Sequence, residues 1–232
     1  MWRFAFAGTR MTPATPITLK IDFVSDVVCP WCAIGLAALE QAAGRLAGQV
    51  RLDWHFQPFE LNPGMGPQGE DLFEHLAAKY GSTPEQLRQM HQQIAARGAA
   101  LGFTFSERRT RIYNTFDAHR LLHWLEEEGT AGQRLALQQA LFKAYFSDGD
   151  NPGEPAVLLR LAAAAGLDEE RARAVLRSDE YADAVRQQQA FYRGQGIHSV
   201  PAVIINDRHL IQGGQPVEVF EQALRQIAAQ QA

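Results

Sequence analysis

Ile17, Leu19, Ile21 and Phe23 alternate with polar neighbours, and Val24 extends the apolar end of the run. A period of two marks a strand with one face toward a core. The period then changes: Ile34, Leu36, Leu39, Ala42, Ala43 and Leu46 fall on a stripe of helical spacing, with Gly48 as a stop. Alternation returns at 50–56 through Val50, Leu52, Trp54 and Phe56. Strand, helix and strand joined by short links predict a βαβ unit with parallel strands.

Pro58 and the segment Asn62-Pro63-Gly64-Met65-Gly66-Pro67 break this pattern, and helical spacing fills most of the chain from there to residue 195. Thr83, Pro84 and Gln86 form a capping box with proline at the first helical position, and Leu87, Met90, Ile94 and Leu101 carry the apolar face. Further helices are predicted at 116–128, stopped by Gly129, at 132–146, stopped by Asp148 and Gly149, and at 155–165, 169–176 and 180–192. Strand character returns at 200–205, where Val200 and Pro201 open a β-branched run. Asn206 and Asp207 turn it into a short partner at 209–211. Gly213 and Gly214 lead into a last helix at 216–227. The fold class is therefore α/β, with two parts of one core, 17–62 and 196–229, flanking an all-helical insertion at 63–195.

Composition narrows the picture. A chain of 232 residues that is 46% hydrophobic can bury a substantial core as one domain carrying an insertion. A net charge of −4 leaves no electrostatic footprint for nucleic acid. No stretch approaches the roughly 20 apolar residues of a membrane span. Residues 1–16 read as irregular; their apolar positions are too few for the core of a signal peptide, and Met11 is an alternative start.

The only two cysteines, Cys29 and Cys32, stand three positions apart at the junction of the first strand and helix. That spacing puts both on one helical turn, near enough to bond without unfolding anything. With Pro30 at the first helical position, Cys29 falls at the cap, its sulfur toward unpaired backbone donors at the positive end of the helix dipole, which favours thiolate. Cys32, one turn in, is shielded and is placed to attack a mixed disulfide formed on Cys29. A structural zinc site usually needs four ligands, and there is no second Cys-x-x-Cys to supply them. As inert core residues, the two cysteines would leave the pairing, the proline and the junction unexplained. As a structural staple, so short a loop removes little entropy from the unfolded chain. A redox pair is the leading reading, and two cysteines in so long a chain fit a reducing, cytoplasmic setting better than a stapled secreted domain.

With these parts in order, the sequence resembles the DsbA-like branch of the thioredoxin fold, and within it the FrnE-like disulfide oxidoreductases. The resemblance is carried by Asp26-Val27-Val28-Cys29-Pro30-Trp31-Cys32, by 58–63, by Asn114-Thr115 with Ala118-His119, by Leu141-Phe142 with Ala144-Tyr145-Phe146, and by Gly196-Ile197 with Ser199-Val200-Pro201. It implies a thioredoxin core, a cis-proline at Pro201 facing the cysteines, and backbone hydrogen bonds from Val200 to an incoming substrate strand. It also implies disulfide exchange with protein or small thiols without an organic cofactor, glutathione being the candidate small-thiol partner. Gly213-Gly214-Gln215 departs from the Gly-Ala-Gln expected there, an extra glycine that loosens the turn. Relatives of the 2-hydroxychromene-2-carboxylate isomerase and kappa transferase type share the architecture. They generally carry serine where this chain has Cys29 and lack the second cysteine, so the intact pair argues against that chemistry. A third reading, from another class, is a holdase that binds unfolded chains beside the pair and uses it as a redox switch.

The supporting positions divide more evenly. Trp31 brings no charge of its own beside the sulfurs. His119 and His123 lie four apart on one helix, a spacing that can hold a metal, but no acidic residue lies between them; membership of the pattern above puts His119 on the wall of the active-site cleft. Asp26 either relays protons to Cys32 or orients its loop. Arg108, Arg109 and Arg111 cluster without interleaved aromatics and read as a solvated loop.

Overall fold

The computed structural model describes residues 15–231, so the irregular segment and the alternative start expected at 1–16 fall almost wholly outside the described residues. The first alternating run forms β1 (Ile17–Ser25), which pairs in parallel with β2 (Val50–Pro58) through the right-sized crossover of α1 (Pro30–Arg45). The β-branched run near the end forms β5 (Ala202–Ile205), antiparallel to β1, and β6 (His209–Gln212) pairs antiparallel with β5. The sheet order is β2-β1-β5-β6. Asn206 and Asp207 make its hairpin turn, both with positive φ (52° and 55°), a region these two residue types tolerate.

Period-two alternation sorts β1 between two layers. Leu19, Ile21 and Phe23 join the larger cluster with α1 and the closing helix α9 (Val217–Ala229), while Val24 packs with Ala202, Phe59, Ile197 and Tyr192. Tyr192 comes from the last helix of the insertion, so the chain crosses behind the sheet before it re-enters it.

Between β2 and β5 run α2 (Leu72–Tyr80), α3 (Pro84–Ala100), α4 (Phe116–Glu128), α5 (Ala131–Lys143), α6 (Pro155–Ala164), α7 (Glu169–Arg177) and α8 (Ala182–Gly194). The capping box at Thr83 is present, with Gln86 N–H donating to its hydroxyl at 3.3 Å and the Gln86 side chain accepting from Thr83 N–H at 2.8 Å. Two features of this stretch depart from the all-helical expectation. It carries a two-residue antiparallel bridge, β3 (Glu70–Asp71) with β4 (Arg111–Ile112), and α5 continues into a π-helical turn at Ala144–Asp148. The short α2 is a further addition to the helices read from spacing; Asp71 caps it by accepting from Phe73 and Glu74 N–H, and Gly81 ends it with φ of 64°.

The insertion covers the open edge of β2. An edge strand exposes backbone donors and acceptors that must find partners. Here Glu126 of α4 accepts from Phe56 N–H at 2.8 Å, and the buried Arg134 of α5 donates to Trp54 C=O at 2.7 Å. His55 Nδ1 lies 2.8 Å from the other oxygen of Glu126. The clamp fixes the helices to the half of the sheet that carries the cysteines.

Candidate active site

α1 starts where the sequence places it, with Cys29 at the cap and Pro30 in the first turn. Cys29 N–H donates to Asp26 C=O at 3.0 Å, and Cys32 N–H donates to Cys29 C=O at 3.0 Å, which closes the turn and stacks the two thiols on one face. One expectation is corrected: the Cys29 sulfur makes no capping bond to the helix donors and instead donates to Val200 C=O at 3.6 Å. Its extended backbone (φ −89°, ψ 114°) turns the side chain toward β5. Both cysteines are free thiols, Cys29 with 4% of its surface exposed and Cys32 with none.

Val200–Pro201 is a cis peptide, and Pro201 lies against α1. Two glycines make that approach possible. A Cβ on Gly35 would sit 3.1 Å from Pro201 Cγ, and one on Gly214 would sit 2.9 Å from the Trp31 carbonyl oxygen. Gly214 is therefore a close-packing position. The extra glycine does not loosen the turn; it lets the β6–α9 connection lie on the first turn of the active-site helix.

Beneath the pair, Asp26 is fully buried. Its Oδ2 accepts from Leu61 N–H at 2.7 Å and its Oδ1 from Val28 N–H at 3.4 Å, so it does orient its loop. Burial, and then the adjacent Cys29 sulfur, push the Cys32 thiol well above its ordinary range; the Asp26 charge adds to the rise, and the Asp26 backbone N–H opposes it. His119 is not on the wall of an open cleft as expected. It is 2% exposed and lies under the pair, with Nε2 3.6 Å from Asp26 Oδ1. Because α4 docks its buried face on β2, His119 is carried inward with that face. His123, one turn on, packs edge-on to Tyr181 at 5.5 Å instead of sharing a site with His119.

Two residues at the mouth left no signal in the sequence. Arg97 of α3 sets its guanidinium 5.2 Å from the centre of the Trp31 ring, so a positive charge does stand over the residue between Pro30 and Cys32. Among the described residues Arg97 has no carboxylate within 4.0 Å. Tyr80, the last residue of α2, has its hydroxyl pKa raised by burial and then by the charge on Cys29. Both are exposed side chains on helices distant in sequence from the cysteines, and only the docking of α2 and α3 brings them there. Arg109 also departs from its reading as solvated. It is 9% exposed and stacks over Tyr145 and Phe146 at 5.4 and 5.0 Å, aromatics supplied from the far end of α5. A cleft of about 520 Å³ runs along α1, lined by Ala33, Leu36, Glu40, Phe103 and Phe142; neither cysteine lines it.

A dithiol at a helix start, facing a cis-proline and backed by a buried carboxylate, can attack a disulfide through one sulfur and release the product through the other. The comparisons with known proteins agree with that geometry. The family described as the DSBA-like thioredoxin domain matches residues 20–225. The crystal structure of a probable DsbA oxidoreductase from Streptomyces coelicolor is similar at 33% identity and a TM-score of 0.80, over 92% of this chain and 91% of that one. Two more distant structures share the fold: a 2-hydroxychromene-2-carboxylate isomerase (15% identity, TM-score 0.67, 91% and 97% of the chains) and the cytosolic disulfide reductase DsbM from Pseudomonas aeruginosa with GSH (20%, 0.58, 89% and 98%). The chain belongs to the DsbA-like thioredoxin family of thiol–disulfide oxidoreductases.

Proposed function

We propose that this protein exchanges disulfides with protein or small-thiol substrates in the cytoplasm, within the FrnE-like branch of its family, with Cys29 as nucleophile and Cys32 as resolving thiol. The observation that carries this reading is the asymmetry of the pair: Cys29 stands at the helix cap against Val200, and Cys32 lies wholly buried beside Asp26. In the reducing direction the Cys29 thiolate attacks one sulfur of a substrate disulfide, forming a mixed disulfide and expelling the other sulfur as a thiolate that takes a proton from water. Cys32 then loses its proton toward Asp26 and attacks the Cys29 sulfur. The bond to substrate breaks, the second substrate thiolate leaves, and the pair is left oxidised. The reverse sequence oxidises a dithiol.

Val200 and Pro201 form the wall along which a substrate strand would lie, and Pro30 and Trp31 the floor beside the sulfurs. No organic cofactor enters these steps. Arg97 over Trp31, with no carboxylate partner among the described residues, favours a substrate with a carboxylate near its sulfur, which supports glutathione as the small-thiol partner; the GSH-bound reductase of the same fold points the same way.

The test is catalytic reduction of insulin with added dithiol, together with exchange against glutathione disulfide. Activity at substoichiometric protein that vanishes in Cys29→Ser supports the proposal. Suppression of aggregation at stoichiometric protein without turnover would establish the holdase reading, and glutathione-dependent isomerisation that survives Cys32→Ser would establish the isomerase reading.

A further inference from the structure

Asp26 and His119 form a buried pair beside the cysteines. Asp26 has no exposed surface, and among the described residues no lysine or arginine lies within 4.0 Å of its carboxylate. Among the described residues His119 Nε2 is buried without a hydrogen-bond partner, and Asp26 Oδ1 lies 3.6 Å from it, just outside hydrogen-bond reach. A buried carboxylate without a counter-charge and a buried ring nitrogen without a partner are each costly. A proton placed between them, after a shift of well under 1 Å, relieves both. Cys32 is the neighbouring thiol, its sulfur facing the Asp26 backbone N–H and feeling the Asp26 charge.

The charged groups on the elements packed around His119 are engaged elsewhere. Glu126 on its own helix, Arg134 of α5 and His55 of β2 hold one another. Arg171 of α7 pairs with Glu128 and Glu180, and Glu60, in the loop after β2, accepts from Gln189 of α8. Arg120 pairs with Asp117 at 2.8 Å and donates to the Glu180 carbonyl. Tyr145, in the π-helical turn, is pushed up to about 12, chiefly by burial, and stays neutral over the working range. The lowered pKa of His123, caused first by burial, keeps it neutral near pH 7. His119 is left as the group that answers Asp26.

We propose that His119 is a positioning residue for the resolving step, donating from Nε2 to Asp26 so that the carboxylate stands ionised and able to accept the Cys32 proton. The inference rests on the disulfide-exchange reading above. In the step, the Cys32 S–H proton passes to the Asp26 carboxylate, which His119 Nε2–H holds by a hydrogen bond. The Cys32 electron pair forms the bond to the Cys29 sulfur, the Cys29–substrate bond breaks, and its electron pair leaves on the substrate sulfur, which is protonated from water. When the pair is reduced again, the proton returns to Cys32. Remove the imidazole and the buried carboxylate loses the donor that stabilises its ionised form, so it is less often free to take the proton from Cys32.

The test separates the two steps in the reduced full-length protein with a nitrobenzoate disulfide (DTNB), whose coloured thiolate is released once when Cys29 attacks and again when Cys32 resolves. In His119→Gln the first release should stay within twofold of the unsubstituted protein. The second should slow about tenfold near neutral pH, the effect of losing one hydrogen bond to a buried charged group. In an Asp26→Asn background, His119→Gln should add nothing further. If His119→Gln does not fold, carbon-13 histidine NMR of the unsubstituted protein decides: the His119 ring signals should shift between the oxidised and reduced pair, and unchanged signals would overturn the inference. An unaltered second phase in folded His119→Gln, or equal slowing of both phases, would also overturn it. Absence of a second release in the unsubstituted protein would instead remove the exchange reading itself.

Discussion

Gly214 is the position at which the family pattern and the structure disagree most usefully, because the pattern leads one to expect alanine there. A Cβ built on Gly214 meets the Trp31 carbonyl oxygen at 2.9 Å, where ordinary contact begins at 3.4 Å. Backbone, not a flexible side-chain tip, must therefore move by about 0.5 Å. Trp31 lies in the first turn of α1, between the two cysteines. Overpacking of this kind costs about 1–3 kcal/mol. The loss of unfolded-state freedom on replacing glycine, at a φ outside the left-handed region, returns about 0.4–1 kcal/mol. The net expectation for Gly214→Ala is a loss of about 1–2 kcal/mol, a fall in melting temperature of about 2–8 °C for a chain of this size. Gly213→Ala is the control. Its φ of +81° predicts a comparable loss, about 1–2 kcal/mol, through backbone strain alone, since the new methyl group meets only the Gln215 side-chain nitrogen at an ordinary 3.7 Å. Thermal melts of the reduced proteins would be paired with the rate at which iodoacetamide alkylates Cys29. Gly214→Ala should change both readouts, and Gly213→Ala only the first. A Gly214→Ala protein as stable as the original, with unchanged alkylation, would refute the close-packing argument.

Cys32→Ser should accumulate mixed disulfides with client proteins or glutathione, and Cys29→Ser should trap little, as non-reducing electrophoresis after thiol quenching will show; equal trapping would contradict the assignment of attacker and resolver. Because folding raises the Cys32 pKa, its contribution to stability is complete below about pH 8.5 and is lost as pH rises from there toward the folded value, by up to about 1.4 kcal/mol per unit. Urea unfolding at pH 8 and pH 10 under reductant should therefore show a steeper alkaline decline for the original protein than for Cys32→Ser, and parallel declines would count against the cause assigned here. Arg97→Ala should slow exchange with glutathione disulfide about two- to fivefold at low salt, the effect of one exposed charge, and leave exchange with an uncharged disulfide unchanged. Equal slowing of both would make Arg97 a support for Trp31 and not a recognition group.

The parts of this protein legible in its sequence are those whose causes are local. Period-two alternation in 17–23 and 50–56 with a helix between them is enough for a parallel βαβ unit, and the order of elements after residue 196 completes the same sheet. Cys29 at the cap with Pro30 behind it follows from the conformational limits of proline, and the box at Thr83 from three side chains that satisfy one another within a turn. Tertiary packing settles the meetings between residues that carry no mark of each other. Arg97 reaches Trp31, and Arg109 finds Tyr145 and Phe146, only because helices of the insertion dock where they do. Two-residue strands such as β3 and β4 have no periodicity to read. The close approach that excludes a Cβ at Gly214 belongs to two backbones far apart in the chain. His119 shows the division most clearly. Its helix is legible from apolar spacing, but whether its ring meets solvent or a buried carboxylate depends on which face of α4 closes over β2, and that face is fixed by Glu126 and Arg134 binding the open edge of the strand.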